Sequence, residues 1–297
     1  MKLGIDLGGT KIEILAIDDQ GQELYRKRIN TPQGNYSETL NCIKDLVLFA
    51  EAELSQIGTV GIGAPGSLSP KSGLLRGSNS TCLNQKPFKQ DLETLLKRDI
   101  RISNDANCFA LSEAVDGAAQ NDDIVFGVII GTGCGAGVVI NKQVIDGPNS
   151  ITGEWGHNPL PWPEQNELQT TECWCGQNGC IETFLSGPGL EKDYLNTTKE
   201  GKSSTDIINL AEQGNDIAEQ TLARYELRMA KSLAHVINIL DPHAIVLGGG
   251  MSNVSCLYKN VPKLWQDYIF SDEVFTNLVP PRHGDSSGVR GAAWLWK

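Results

Sequence analysis

Positive charge is scarce in this chain of 297 residues. The sequence has 25 Lys and Arg against 36 Asp and Glu, and its formal net charge is −11. Binding to nucleic acid requires clustered Lys and Arg, so this deficit argues against nucleic acid as the main partner. A phosphate ligand would instead have to be held by backbone N–H groups, helix ends and a metal ion.

Long apolar runs and paired cysteines are also missing. No stretch of about twenty apolar residues is present, and the strand-like segment LGIDLG begins at residue 3 with no signal-peptide core before it. We therefore expect no membrane partner. Reduced thiols in a cytoplasmic protein are the simplest explanation for five cysteines that show no pairing pattern: Cys42, Cys82, Cys108, Cys134 and Cys256.

The length and composition predict an ordinary globular protein with two domains. The chain is 40% apolar and 21% charged, which is usual for globular proteins. A chain of this length exceeds one comfortable hydrophobic core, and each half is large enough to bury its own.

The stretch from Gly153 to Glu182 carries the densest chemistry. It opens with GEWGH and closes with CWCGQNGCIE, so that one histidine and three cysteines lie close in sequence: His157, Cys173, Cys175 and Cys180. Three thiols and an imidazole complete a tetrahedral zinc shell. With all four ligands supplied by the protein, such a zinc would be structural rather than catalytic.

Two other interpretations of these cysteines stay open. A disulfide would leave one of the three thiols unpaired, and inert buried thiols would not explain the CxC spacing or the glycines beside it. His157 alone would be a weak indication, because a single histidine is more often a satisfied core residue. The neighbouring carboxylates, Glu154 and Glu182, suggest a polar small-molecule site beside the metal.

Two glycine turns repeat along the chain. Strand patterns surround Gly8-Gly9-Thr10 in residues 2–29, with the third strand at 23–29, and surround Gly131-Thr132-Gly133 in residues 125–147. A bare glycine turn can bind phosphate through its N–H groups, although each could also be an ordinary hairpin turn. The β-branched residues after the second turn predict a strand rather than a helix, which disfavours a dinucleotide-binding GxGxxG motif.

Further polar or glycine-rich turns follow predicted strands. A strand over 59–64 leads into a long polar loop that carries Asn79, which is typical of a binding loop. Asp105 lies between a strand and a helix predicted over 107–118, where it could be a catalytic carboxylate or a helix N-cap. The run Gly248-Gly249-Gly250 could accommodate an adenine ring or be a flexible turn. Ser37 is expected to cap a helix over 37–54.

Together these motifs resemble the ROK family of sugar kinases over essentially the whole chain. The matching segments are GIDLGGTK at 4–11, SNDANC at 103–108, GTGCGAG at 131–137, GEWGH, CWCGQNGCIE, VLGGG at 246–250 and HGDSSGVRGAAW at 283–294. The resemblance implies an α/β fold of two actin-like (ribonuclease-H-like) domains with an ATP cleft between them and a zinc-knot insertion. We place the domains at 1–118, to which the C-terminal helix could return, and at 119–297, with the zinc-binding loop at 153–182.

The resemblance also implies roles for individual residues. Asp105 would be the catalytic base, and His157 would serve both the zinc and the sugar. The sugar would be bound by Asn79, Asn104, Asp105, Glu154, His157 and Glu182. ATP with Mg²⁺ would be bound by Gly4, Asp6, Gly8, Gly9, Thr10, Lys11, Gly131, Thr132, Gly133, Gly135, Gly137, Gly248, Gly249 and Gly250.

The expected reaction is ATP-dependent phosphorylation of a hexose at its 6-hydroxyl. Within the family, GEWGHNPLPW is most similar to the manno(fructo)kinase branch, so we expect fructose or mannose as substrate. The alternatives are an N-acetylglucosamine kinase or a glucokinase.

The family also contains transcriptional repressors, which carry a DNA-binding module before the first glycine turn. The acidic charge and the position of that turn, seven residues after Met1, disfavour a repressor. We also expect a homodimer.

Overall fold

The structure, a computed structural model, describes residues 1–168 and 171–296, with only the backbone at Asp285. Residues 169 and 170 of the predicted zinc-binding loop and the last residue of the predicted second domain lie outside the described residues. The strands are β1 (Lys2–Leu7), β2 (Lys11–Ile17), β3 (Glu23–Asn30), β4 (Thr59–Ala64), β5 (Ser67–Leu68), β6 (Leu75–Arg76), β7 (Ile100–Asn104), β8 (Ile124–Ile130), β9 (Cys134–Ile140), β10 (Gln143–Val144), β11 (Ala244–Gly248) and β12 (Asn277–Val279). The α-helices are α1 (Tyr36–Leu54), α2 (Phe88–Leu96), α3 (Asp105–Val115), α4 (Glu182–Leu185), α5 (Gly187–Thr198), α6 (Ser204–Glu212), α7 (Asp216–Leu240), α8 (Ser255–Leu264) and α9 (Ser287–Trp294).

The chain forms two compact units by its internal contacts. The first unit contains residues 1–123, 137–152 and 282–297, and the second contains 124–136 and 153–281. This division differs from the boundary that we expected between 118 and 119. The first unit extends to Asp123 and includes two later segments, because long-range packing brings the part of the chain around β10 and α9 back to it.

A five-stranded sheet with the order β3-β2-β1-β4-β7 organises the first unit. β1 pairs antiparallel with β2 and parallel with β4, and β4 pairs parallel with β7. The alternating apolar residues of β1, Leu3, Ile5 and Leu7, are all buried. Their burial stabilises this sheet by about 25 cal/mol per Å² of apolar surface removed from water.

Helix α9 returns to the first sheet through close backbone contacts. A Cβ atom at Gly4 would lie 2.1 Å from the carbonyl oxygen of Val289, and one at Gly61 would lie 1.9 Å from that of Ala292. Only glycine permits this approach. Helix α9 also packs closely on α3. A Cβ at Gly291 of α9 would overlap the carbonyl of Cys108 on α3.

The second sheet repeats the arrangement of the first. Its order is β10-β9-β8-β11-β12, and β11 pairs parallel with both β8 and β12. The long helix α7 of the second unit is amphipathic, and its buried side includes Met229, Leu233 and Ile237. None of the described helices has the length and apolar content needed to cross a membrane.

Two local predictions need correction. The side chain of Asn35, not Ser37, accepts the N–H of Glu38 and caps α1, which therefore begins at Tyr36. Helix α3 begins at Asp105, two residues before the predicted start, and ends at Val115. The reason is the same in both cases, since an Asn side chain one position before the helix satisfies the first free N–H groups. The predicted strands at 23–29 and 59–64 are confirmed.

Candidate active site and metal centre

Hydrogen bonds at both ends of the first glycine turn, Gly8–Thr10, fix its conformation. The N–H of Gly8 donates to the carbonyl of Lys11 at 2.9 Å. The hydroxyl of Thr31 donates to the carbonyl of Gly8 at 2.8 Å, and the backbone N–H of Thr31 donates to the carbonyl of Thr10. Gly9, Thr10 and Lys11 are exposed. Thr31 was missed from the sequence, because nothing local marks a residue at the end of β3 as a support for this turn.

Asp6 lies in β1 beside other carboxylates of the first unit. Burial, the negative charge of Asp105 and the negative charge of Glu13 raise the pKa of Asp6 to about 6, with Arg28 opposing them. Glu13 itself is buried and paired with Arg26 at 3.0 Å and with Arg28. Since Asp6 and Asp105 repel one another, a divalent cation close to both would be stabilised.

The turn between β7 and α3 carries two predicted site residues, Asn104 and Asp105. The side-chain oxygen of Asn104 accepts the N–H of Ala106 at 2.8 Å, and its amide donates to the carbonyl of Gly66 at 3.2 Å. Asn104 is therefore the N-cap of α3. Oδ1 of Asp105 also accepts from Ala106 N–H, at 2.8 Å. Because Asn104 already supplies the cap, capping alone does not account for the carboxylate at Asp105.

Asn79 lies in an exposed loop next to the first glycine turn. Two bonds between Ser78 and Asn84, at 2.9 and 2.8 Å, hold the base of this loop. Asn79 lines a cavity of about 410 Å³ that also contains Gly9, Thr10 and Thr31. The structure thus brings the predicted sugar-binding loop and the predicted phosphate turn to one concave surface of the first unit.

Two glycines predicted to bind nucleotide have packing roles in the first unit. Gly4 lies against α9, as described above. A Cβ at Gly137 would lie 2.7 Å from the carbonyl of Ala106 and 2.9 Å from the side-chain oxygen of Asn107. Both positions therefore require glycine for close packing, and a nucleotide contact at them stays a prediction.

The second glycine turn belongs to the second unit and contacts Glu182. The N–H of Gly131 donates to the carbonyl of Gly133 at 3.0 Å. The next residue, Cys134, donates its backbone N–H to Oε2 of Glu182 at 2.9 Å. Gly249, with φ +76°, packs against the same hairpin, because a Cβ there would lie 2.4 Å from the carbonyl of Ile130. The turns at 131–133 and 248–250 are thus neighbours in this unit.

The segment GEWGH is anchored by its tryptophan and its second glycine. Trp155 is buried and packs edge-to-face on Phe126, with ring centroids 5.7 Å apart. A Cβ at Gly156 would lie 2.1 Å from the carbonyl of Cys134. This anchoring leaves Glu154 exposed and His157 half-buried. The packing of Trp155 and Gly156 therefore fixes the positions of the two predicted sugar-binding residues beside them, Glu154 and His157.

The four predicted metal ligands converge in the second unit. Nδ1 of His157 lies 3.6 Å from Sγ of Cys173, and Sγ of Cys175 lies 3.6 Å from Sγ of Cys180. All four ligand atoms lie within 4.8 Å of one another. A tetrahedral zinc, with bonds of about 2.3 Å to sulfur and 2.05 Å to nitrogen, has edges of about 3.6–3.8 Å. The donor set and its spacing fit zinc.

Backbone pairing brings the histidine to the cysteines. The N–H of Leu160 donates to the carbonyl of Gly179 at 2.9 Å, and the N–H of Ile181 donates to the carbonyl of Asn158 at 2.9 Å.

The thiols of Cys175 and Cys180 do not form a disulfide, because their sulfur atoms are 3.6 Å apart and a disulfide bond is about 2.05 Å long. Burial and the hydrogen bonds with Cys175 and Cys173 raise the pKa of the Cys180 thiol, and a bound cation would favour its thiolate form.

Trp174 is a further residue of this loop that sequence reasoning left without a role. Its side chain is 75% exposed, yet its indole Nε1–H donates to Oε1 of Glu182 at 2.7 Å. Its ring also packs edge-to-face on His157, with centroids 4.9 Å apart. The only signal in the sequence is its position between the two cysteines of the CxC pair.

Comparisons with known proteins identify the family. The model of the ROK family matches residues 2–297. The N-acetyl-D-glucosamine kinase of Haemophilus influenzae is 40% identical over 301 residues, covering 100% of this chain and 99% of that protein. The protein of the same name from Pectobacterium atrosepticum is 40% identical over 299 residues, with 99% and 98% covered. The chain belongs to the ROK family.

Solved structures agree with this assignment. The ROK hexokinase from Thermus thermophilus superposes with a TM-score of 0.89 at 28% identity, covering 99% of this chain and 97% of that one. A ROK glucokinase from Streptomyces griseus, solved with glucose and AMPPNP, has a TM-score of 0.77 at 26% identity, with 99% and 98% covered. The predicted family and the actin-like α/β fold class are confirmed.

Proposed function

We propose that this protein transfers the γ-phosphoryl group of ATP to the 6-hydroxyl of N-acetylglucosamine. The observation that carries the proposal is the 40% identity, over the whole chain, to proteins named N-acetyl-D-glucosamine kinase. This supports the alternative that we raised from the sequence better than fructose or mannose, which we expected from GEWGHNPLPW. A cytoplasmic location, expected from the unpaired thiols, and a homodimer, expected from the family resemblance, stay predictions.

Asp105 is the proposed catalytic base. It lies at the first residue of α3, and the neighbouring Asn104 already supplies the helix cap. In the reaction, Asp105 accepts the proton of the 6-hydroxyl while that oxygen attacks the γ-phosphorus, and the bond from this phosphorus to the ADP oxygen breaks. Asn104 and Asn79 donate or accept hydrogen bonds with the other sugar hydroxyls.

The second unit supplies the other proposed sugar ligands. Glu154 and Glu182 accept hydrogen bonds from hydroxyl groups, and carboxylates suit this because each oxygen has two acceptor sites. His157 would hold the structural zinc through Nδ1, the atom 3.6 Å from Sγ of Cys173, and would then have Nε2 available for the sugar. Cys173, Cys175 and Cys180 complete the zinc shell, whose chemistry is to order the loop.

The glycine turns are the proposed nucleotide ligands. Gly8–Thr10 and Gly131–Gly133 bind phosphate oxygens through backbone N–H groups, with Lys11 adding a positive charge, and Gly248–Gly250 packs against the adenine. Mg²⁺, when bound with ATP, neutralises phosphate charge. Asp6, whose pKa is raised to about 6 by burial and by the neighbouring carboxylates Asp105 and Glu13, would help to hold this ion.

A substrate panel tests the proposal. ATP-dependent turnover is measured with N-acetylglucosamine, N-acetylmannosamine, glucose, mannose and fructose, and the position of the phosphate in each product is determined by NMR. We expect N-acetylglucosamine to have the highest kcat/KM, at least tenfold above fructose, and its 6-phosphate as product. A panel in which fructose has the highest kcat/KM would restore our first expectation and refute this one.

A further inference from the structure

Trp174 is unusual for an exposed residue, because it is ordered by two specific contacts. Three-quarters of its side-chain surface is accessible, so burial of apolar area does not explain its position. Its indole N–H nevertheless donates to Oε1 of Glu182 at 2.7 Å. Its ring meets the imidazole of His157 at 85°, the edge-to-face geometry that aromatic pairs favour.

These contacts complete the environment of the Glu182 carboxylate. Oε2 accepts the backbone N–H of Cys134 at 2.9 Å, and Oε1 accepts the indole N–H of Trp174. These two N–H donors fix the carboxylate plane in two places, and Sγ of Cys173 also lies 3.9 Å from Oε1. Cys173 would be a thiolate when bound to the proposed zinc and would donate no hydrogen bond, so each oxygen would keep a second acceptor position for a sugar hydroxyl. Without Trp174, the N–H of Cys134 would be the one remaining N–H donor among the described residues that orients the carboxylate.

We infer that Trp174 is a positioning residue for Glu182 in sugar binding, and that the exposed face of its ring forms part of the wall against which the sugar lies. This inference rests on the proposed function, since it deepens the account of the same sugar site. An indole suits both tasks, because it combines one N–H donor with a large flat apolar surface. A hexosamine offers such a surface its ring C–H groups and the methyl of its acetyl group.

A simpler explanation is that Trp174 only shields the zinc-binding loop. Its neighbours Cys173 and Cys175 are proposed ligands, so an effect of any substitution on the metal must be measured separately. Trp174→Phe distinguishes the two explanations. It keeps a ring that can pack on His157 but removes the N–H that holds Glu182. Phe275→Leu is a matched control, since Phe275 belongs to the same unit and is 77% exposed.

The affinity for N-acetylglucosamine is measured by calorimetry, together with bound zinc and steady-state kinetics. We expect Trp174→Phe to weaken sugar binding about tenfold, as for a lost hydrogen bond to a charged group. KM for the sugar should rise by the same factor with kcat within twofold, because ground state and transition state lose the contact equally. The zinc content, KM for ATP and the Phe275→Leu control should not change.

A double-mutant cycle with Glu182→Gln tests whether Trp174 acts through Glu182. In the Glu182→Gln background, Trp174→Phe should weaken sugar binding less than twofold, because the carboxylate to be positioned is gone. Trp174→Ala, which also removes the wall, should weaken sugar binding beyond Trp174→Phe. Additive effects of Trp174→Phe and Glu182→Gln would overturn the positioning role.

The remaining outcomes are equally decisive. Unchanged sugar affinity in Trp174→Phe with zinc retained overturns the inference and leaves the proposed function intact. Loss of zinc from Trp174→Phe in parallel with sugar affinity assigns Trp174 to the metal site and also overturns it. If the wild-type protein binds neither N-acetylglucosamine nor any hexose of the panel, the proposed function fails first, and the inference fails with it.

Discussion

Removal of the proposed zinc is the sharpest test of the link between the candidate metal-binding loop and the proposed sugar site. His157 is both a proposed zinc ligand and a proposed sugar ligand, and Trp174, between two cysteines of the loop, donates to Glu182. Chelation, or the substitution Cys175→Ser, should therefore disorder His157 and release one of the two bonds that orient Glu182. Sugar affinity should fall while ATP affinity is nearly retained.

The expected size follows from the bonds involved. One bond from His157 and one oriented bond to the charged Glu182 together contribute roughly 2–3 kcal/mol. Since about 1.4 kcal/mol corresponds to a factor of ten, sugar affinity should fall roughly 30- to 150-fold. The proposed nucleotide turn at Gly8–Thr10 belongs to the other unit. Cys134 still bonds Glu182 beside the second turn, so ATP affinity should change less than about threefold.

The assay is titration calorimetry of N-acetylglucosamine and of a non-hydrolysable ATP analogue, each into zinc-loaded and zinc-free protein with the metal quantified. Cys256→Ser, a substitution on α8 outside the ligand set, is the control and should change neither affinity. Unchanged sugar affinity in protein shown to contain no zinc would refute the reasoning. Intact sugar binding with lost turnover would instead indicate a catalytic zinc.

Three further predictions concern single residues. Asp105→Asn should lower turnover by about 10²–10⁴ and leave nucleotide binding unchanged, and more than a tenth of normal turnover would contradict its role as the base. Asp6 has its pKa raised from 3.8 to about 6 in the folded protein, so its contribution to stability is present below about pH 4 and is lost as the pH rises through 6. Asp6→Asn should therefore stabilise the ligand-free protein at pH 8, by at most about 3 kcal/mol, and not at pH 4. Denaturant unfolding measures this, with Asp45→Asn, an exposed carboxylate, as the unaffected control. Gly156→Ala should destabilise the protein by about 1–3 kcal/mol, because its Cβ would meet backbone, whereas Gly201→Ala, in open space, should not.

Much of the fold was predictable because its signals are local. Alternating apolar residues predicted the strands at 23–29 and 59–64, and repeated glycine turns predicted two similar hairpins, which the structure contains as β1-β2-β3 and β8-β9-β10. Helix starts were less predictable. Asn35 and Asn104 cap α1 and α3, but each lies near other residues that could cap, and only the backbone angles decide among them.

The candidate zinc ligands were predictable for a different reason. The three cysteines lie within eight residues of one another in the sequence, which already restricts the distances between their thiols. In the structure, the ligand atoms of these cysteines and of His157 all lie within 4.8 Å of one another. The histidine sixteen residues earlier needed more than spacing. Its approach depends on the pairing of Leu160 with Gly179 and of Asn158 with Ile181, which no local pattern marks.

Tertiary structure alone decided the contacts that join distant segments. The return of α9 to the first unit depends on Gly4 and Gly61, whose missing side chains matter only once another backbone lies within about 2 Å of where a Cβ would be. The bonds from Cys134 and Trp174 to Glu182 join residues 48 and 8 positions apart. Sequence patterns report periodicity and spacing along the chain, whereas these contacts depend on where the sheet and the metal-binding loop place their backbones in space.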